Sequence, residues 1–174
     1  MRLPSLLGEE PDRRLEARGY GAEGLSLTLI APIQPQVQGE GELLPLASPE
    51  WLAALNRING REGDKAAVFD AVLAAIDAPA AYAQVRRQGQ IVAGAYAATF
   101  DGWLCLEAVA TDPAWRGRGL AGEVVSALMA WGAAQGARAA GLQVQADNEA
   151  GLRLYRRLGF KRELYRYHYR RQPA

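Results

Sequence analysis

Two hydrophobic rhythms alternate along this chain. Trp51, Leu52, Leu55 and Ile58 recur at helical spacing behind Ser48, a hydroxyl cap, and Pro49, which suits a first helical position. Asn59 and Gly60 end that helix. Asp64 then caps a second one, with Val68, Val72 and Ile76 at helical spacing and a stop near Asp77 enforced by Pro79. The rhythm changes to strands at residues 82–86, 90–99 and 103–110, joined near Gln88-Gly89 and at Phe100-Asp101-Gly102, which are hairpin signals. It returns to helix over 120–136 through Leu120, Val124, Leu128 and Trp131. Residues 142–145 alternate as a short strand, Asp147 or Asn148 caps a helix running to Leu158, Gly159 stops it, and 164–170 is strand-like. Within the Gly- and Pro-rich connection 32–49, residues 36–44 form a candidate first strand.

The N-terminus repeats a later pattern. Leu15 to Tyr20 through Gly19, followed by the apolar run 25–30, echoes Tyr155 to Phe160 through Gly159, followed by 164–170. Both read as helix end, glycine, aromatic, strand.

The chemistry concentrates in Arg116-Gly117-Arg118-Gly119, where a strand feeds a helix. The first N–H groups of a helix lack intrahelical partners and carry about half a positive charge from the macrodipole. Two glycines allow main chain to approach a ligand, and two arginines add charge, so the site is suited to phosphate. Gly117, Gly119 and Gly122 formally spell the dinucleotide fingerprint GxGxxG. In that fold, however, the first glycine follows its strand almost directly, whereas residues 111–116 intervene here. The preceding hairpins also lack crossover helices.

Arg116, Gly119 and Ala121, following Val109-x-x-Asp112-Pro113, instead resemble the pyrophosphate-binding motif of the GNAT superfamily of acyl-CoA N-acyltransferases. Asn148, Tyr155 and the Gly159-Phe160 pair resemble the signature that closes GNAT domains. The resemblance covers roughly residues 34–174. It implies an α+β (broadly α/β) fold, a mixed, mostly antiparallel, splayed sheet flanked by about four helices, with the acyl donor between the strands at 103–110 and 139–145. Residues 1–33 then form an N-terminal extension, either the remnant of a second, truncated GNAT-like unit or a chance match.

The resemblance also implies roles. Arg116, Gly117, Arg118, Gly119, Leu120 and Ala121 present N–H groups to the pyrophosphate of acetyl-CoA, and main chain at Glu107 and Val109 pairs with the pantetheine arm. Asn148 contacts the cofactor or serves as a helix cap. Tyr155 is the catalytic candidate, because a phenol with pKa near 10 stays protonated at pH 7 and can donate to a departing thiolate. Some relatives carry a glutamate base on the penultimate strand; the corresponding residue here is Gln143, which cannot act as a base. Glu107 is the substitute candidate, with a salt-bridged strand residue as the alternative. The segment from Trp51 through 59–64 forms part of the acceptor wall.

Composition narrows the field further. With 174 residues the chain can bury a proper core, and a net charge of +1 points to neither nucleic acid nor an anionic membrane. The lone Cys105 forms no internal disulfide, no apolar run approaches a membrane span, and residues 1–8 lack a signal peptide's core, so a cytoplasmic location is expected. One His and one Cys supply no zinc site. His168 lies in Tyr165-Arg166-Tyr167-His168-Tyr169-Arg170, which reads as a two-sided strand at the end of the sheet or at a homodimer contact rather than a catalytic base. The expected function is transfer of an acetyl group from acetyl-CoA to a primary amine of a small molecule or peptide in a ternary complex. The alternatives are a noncatalytic acyl-CoA-binding module and, less favoured, a dinucleotide enzyme.

Overall fold

The computed structural model describes residues 1–33 and 41–172. In chain order these form β1 (Arg2–Pro4), α1 (Glu10–Glu16), β2 (Gly21–Pro32), β3 (Glu42–Leu44), α2 (Pro49–Ile58), α3 (Asp64–Ala74), β4 (Ala80–Arg87), β5 (Gln90–Phe100), β6 (Trp103–Thr111), α4 (Leu120–Ala134), β7 (Ala139–Gln145), α5 (Glu149–Arg157) and β8 (Arg162–Arg171). From β3 onward the order is the expected one, and the class is α+β. The described residues hold five α-helices rather than about four, because α1 adds one ahead of β2. Two compact units emerge, Met1–Ala31 with Gly141–Ala174, and Pro32–Ala140.

The second unit is an antiparallel meander, β6-β5-β4-β3, carrying α2, α3 and α4. Its tight turns use Gln88-Gly89 and Asp101-Gly102, all four residues at positive φ, the primed geometry that matches strand twist. Helix α2 begins where Ser48 Oγ accepts from the Trp51 N–H at 3.1 Å. Trp51 and Leu55 are fully buried on its inner face, and the Trp51 indole donates to the Ala83 carbonyl at 3.0 Å. Tyr82 meets the Trp51 ring edge-on with centroids 5.2 Å apart. Gly94 lets α2 approach this closely: a Cβ there would lie 2.6 Å from Leu55 Cδ2 and 3.2 Å from the Ala83 oxygen. Against the other face of the sheet, Gly132 of α4 meets Leu104 in the same way.

One expected face is corrected. Val68 and Val72 of α3 are 63% and 51% exposed, whereas Leu73 is buried and Phe69 and Ile76 pack against the Trp51–Leu55–Tyr82 cluster. The aromatic surface already formed by α2 and β4 takes the side of α3 that offers Phe69, and the smaller valines are left to solvent. The candidate strand 36–44 lies largely outside the described residues; its end, Glu42–Leu44, is β3.

The first unit orders its strands β1-β8-β2-β7. Strand β8 is therefore not an edge, as the tyrosine alternation suggested: β1 pairs on one side of it and β2 on the other, both antiparallel. On its Arg-His-Arg face, Arg166 pairs with Glu163 of the same strand, and His168 and Arg170 are engaged by α1. Asp12 Oδ1 lies 2.7 Å from both His168 Nε2 and Arg170 Nε, and Asp12 Oδ2 accepts from Arg170 Nη2 at 2.9 Å. The ends of α1 and α5 have the same geometry. The Tyr20 N–H donates to the Leu15 carbonyl at 3.1 Å around Gly19, as the Phe160 N–H does to the Tyr155 carbonyl at 2.9 Å around Gly159, both glycines at positive φ.

Two outcomes follow. Gly94→Ala costs about 1–3 kcal/mol of stability through overpacking, measured by urea denaturation. The hydrogen bond from Arg170 holds the Asp12 carboxyl down at about 2. Because the folded pKa is depressed, its contribution is complete above the ordinary value of 3.8 and is lost as pH falls through about 2. The stability gap between the wild type and Asp12→Asn is thus present at neutral pH and closes between those values in a pH series of denaturation curves.

Candidate functional site

The strand feeding the glycine-rich loop is β6, and its pairing with β5 is broken once. Phe100 pairs with Trp103, Ala98 with Cys105 and Tyr96 with Glu107, but Gly94 pairs with Ala110. The extra residue makes a β-bulge, with Ala108 at φ +53°, a left-handed conformation rare for a residue with a Cβ. Two positions expected to offer main chain, Glu107 and Val109, flank this bulge. Nothing in the sequence announces it, since alanine is no signal for positive φ.

Beyond β6 the chain is pinned by Asp112. One carboxylate oxygen accepts from the Ala114 N–H at 3.0 Å, and the other is 2.6 Å from Arg57 Nη1. The Arg57 hydrogen bond, helped by that N–H, lowers the Asp112 pKa. Arg57 also donates to the Ile91 carbonyl at 3.1 Å, so α2, β5 and the loop share one tether. Sequence reading quoted Asp112 within its motif but did not identify Arg57 as its partner, which lies 55 residues away.

The loop itself is exposed from Arg116 to Gly119, and Leu120 is the first buried residue of α4. Gly117 and Gly119 have φ of +76° and +82°, yet a Cβ at either would meet nothing within 4 Å. Conformation requires these glycines, while packing leaves the space above them open. Among the described residues, no backbone carbonyl accepts from the N–H groups of 117–121. Arg116 Nε donates to the Thr111 carbonyl at 3.3 Å, and Arg118 lies 4.7 Å above the Trp115 ring. Five unpartnered donors, two arginines and the start of a 15-residue helix suit a diphosphate.

In the first unit, Asn148 Oδ1 accepts from the Gly151 N–H at 2.9 Å and so caps α5. Tyr155 is buried on α5, its ring edge-on to Phe160 at 6.1 Å. Gln143 Oε1 accepts from the Tyr167 hydroxyl at 2.9 Å, so the residue at the expected base position serves a structural hydrogen bond. A cavity of about 390 Å³ lies in the second unit, lined by Glu50, Arg57, Gln90 and Ile91 among others; it touches the expected acceptor segment at Arg57, and none of the predicted catalytic or cofactor-binding residues borders it.

The sequence model of the acetyltransferase (GNAT) family matches residues 43–160, more than half of the chain. The chain belongs to the GNAT family. The match takes in the loop 116–121. A GCN5-related N-acetyltransferase from Sphaerobacter thermophilus aligns with a TM-score of 0.70 at 21% identity, over 96% of this chain and 58% of that one. One from Kribbella flavida aligns at 0.66 and 23%, over 99% and 68%. An aminoglycoside N-acetyltransferase solved in complex with CoA aligns at 0.55 and 18%, over 82% and 91%. These identities establish the shared fold. The chain spans 58% of the length of the Sphaerobacter protein and 64% of that of a similar acetyltransferase from Colwellia psychrerythraea. No curated sequence matches significantly.

Glu107 and Cys105 project from the same face of β6, and their register partners Tyr96 and Ala98 project beside them from β5. Burial, then the charge of Glu107, pushes the Tyr96 phenol up to about 12, and the same two causes raise the Cys105 thiol. Since the thiolate is the nucleophile, Cys105 alkylates with a pH midpoint above that of an ordinary thiol, and Glu107→Gln lowers the midpoint. Iodoacetamide labelling followed by mass spectrometry reads both.

Proposed function

We propose that this domain transfers an acetyl group from acetyl-CoA to a primary amine by direct attack in a ternary complex. The observation that carries the reading is the row of N–H groups from Gly117 to Ala121, without a backbone partner among the described residues and accompanied by Arg116 and Arg118, in a chain of this family. Arg116 to Ala121 hold the pyrophosphate, and main chain at Glu107 and Val109, beside the Ala108 bulge, receives the pantetheine arm. Acetyl-CoA supplies the activated acyl carbon. The CoA bound by the structurally similar aminoglycoside enzyme supports this choice of donor.

Tyr155 donates a hydrogen bond or proton to the departing sulfur. Glu107 accepts the proton of the attacking amine. Asn148 contacts the donor through the amide nitrogen that its capping oxygen leaves available. The raised thiol pKa of Cys105 keeps it protonated near neutrality, which supports direct attack over an acyl-cysteine intermediate. The lone cysteine and the absence, among the described residues, of a helix able to cross a membrane are compatible with a cytoplasmic setting. Residues 1–33 are the remnant of a second GNAT-like unit. The matching ends of α1 and α5 and the pairing of β2 with β8 support this origin.

A noncatalytic acyl-CoA-binding module is the second reading, favoured by the engagement of Gln143 with Tyr167. Melting curves and turnover separate the two. Acetyl-CoA or CoA at 100 times its dissociation constant adds about 2.7 kcal/mol and raises the midpoint by several degrees, whereas NAD does not. Tyr155→Phe keeps that shift and lowers kcat about 100-fold or more. A shift without transfer to any of a broad amine panel would establish the binding module. Stabilisation by NAD alone would overturn both readings.

A further inference from the structure

Arg61 is an unusual cation in this protein. It sits in the connection between α2 and α3, where its backbone N–H donates to the Asn56 carbonyl at 2.9 Å and fixes the chain. Its guanidinium carbon lies 4.0 Å from the centre of the Phe69 ring, stacked on it. Phe69 in turn stands 6.5 Å from Tyr96, the register partner of Glu107. Other half-buried or buried arginines here have carboxylates: Arg86 has Glu50 and Arg170 has Asp12. Among the described residues no carboxylate comes within 4.0 Å of Arg61, and its one side-chain hydrogen bond, to the Leu55 carbonyl, is 3.5 Å long. Asp70, whose charge reaches Arg61, already accepts from Asn56 at 3.0 Å. Burial lowers the Arg61 pKa, which registers the cost of holding this cation partly out of water.

A rigid, stacked guanidinium with unused donors is a receptor for a planar anion. We propose that Arg61 anchors a carboxylate of the acceptor, so that the amine acetylated here belongs to a molecule that also carries a carboxylate, as peptides and amino acids do. This rests on the acetyltransferase reading above and adds the substrate class. The wall then has two ends: Arg61 on Phe69 takes the acid, and Glu107 beside Tyr96 faces the amine. A polycationic acceptor would instead set a positive charge against Arg61.

The test is acetyl-CoA-dependent acetylation of dipeptides and of the same dipeptides as C-terminal amides. Transfer is followed by chromatographic detection of product, and the wild type is compared with Arg61→Gln and Arg61→Lys. The wild type prefers the acids by about 10- to 100-fold in kcat/KM. Arg61→Gln removes that preference by raising KM for the acids, and Arg61→Lys restores part of it. An unchanged acetyl-CoA melting shift shows that both variants are folded. Calorimetric titration of N-acetyl dipeptides in the presence of CoA repeats the comparison without turnover, with weaker binding to Arg61→Gln. Amides used as well as acids, or an acid preference that survives Arg61→Gln, would overturn the anchor and leave the acetyltransferase reading standing. Acetyl-CoA binding with no acetylation of either series, and no binding of the N-acetyl dipeptides, would overturn the anchor, and failure of the broad amine panel as well would overturn the acetyltransferase reading.

Discussion

The register between β5 and β6 is the constraint on which the candidate site depends. Asp101-Gly102 closes a two-residue turn that pairs Phe100 with Trp103, and from there the two-residue period puts Cys105 and Glu107 on the face that carries Tyr96 and Gly94. Leu104 and Leu106 are thereby sent to the opposite face, where Leu104 meets Gly132 of α4. Strict alternation would next send Ala110 to the α4 side. The bulge at Ala108 prevents this, so Ala110 returns, three residues after Glu107, to the face of Trp51 and Leu55, opposite Gly94. A slip of one residue would exchange the acidic, aromatic wall for leucines. The positive φ of Ala108 is the local cost of keeping a polar wall and an apolar core on one strand face.

Much of this was legible because local chemistry and tertiary demand agree. Ser48 and Pro49 specify the start of α2, the two glycine turns specify the hairpins, and Gly119 and Gly159 mark a helix start and a helix end. Where they disagree, the sequence misleads. Val68 and Val72 repeat at helical spacing as well as Phe69 and Leu73 do, and only the presence of the Trp51–Tyr82 aromatic surface decides between the two stripes. Ala108 carries no signal for a bulge. The pairing of Arg57 with Asp112 and the lack of a carboxylate beside Arg61 depend on contacts that sequence separation hides, and charge composition treats all arginines alike.

The N-terminal segment shows the same limit at larger scale. Its helix end, glycine, aromatic and strand were readable by likeness to residues 155–170, but not that β2 would take the place between β8 and β7. Two features hold it there. The ladder to β8 runs from Gly21 to Ile30 with two irregularities, and the Asp12 carboxylate ties α1 to Arg170, whose side chain is only 6% exposed. The Arg-His-Arg face of β8, which in isolation suggests an exposed strand, is thus supplied with its counter-charge from within the same unit.

The chemistry of proton removal gives the acceptor wall its logic. A lysine-like amine with pKa about 10.4 requires about 4.6 kcal/mol to be neutral at pH 7, while a peptide α-amine near 8 requires only about 1.4 kcal/mol. Gln143 cannot accept a proton, and the phenol of Tyr96 and the thiol of Cys105 are both held in their protonated forms by burial and by Glu107. In the reading proposed above, the proton goes to Glu107, on the same strand face. Proton transfer in that reading is easiest from an amine that is already close to neutral. An α-amine meets that condition, and a molecule bearing one beside a carboxylate also meets the unpaired guanidinium of Arg61. The proton cost of the amine and the surroundings of Arg61, which are separate arguments, lead to the same kind of acceptor.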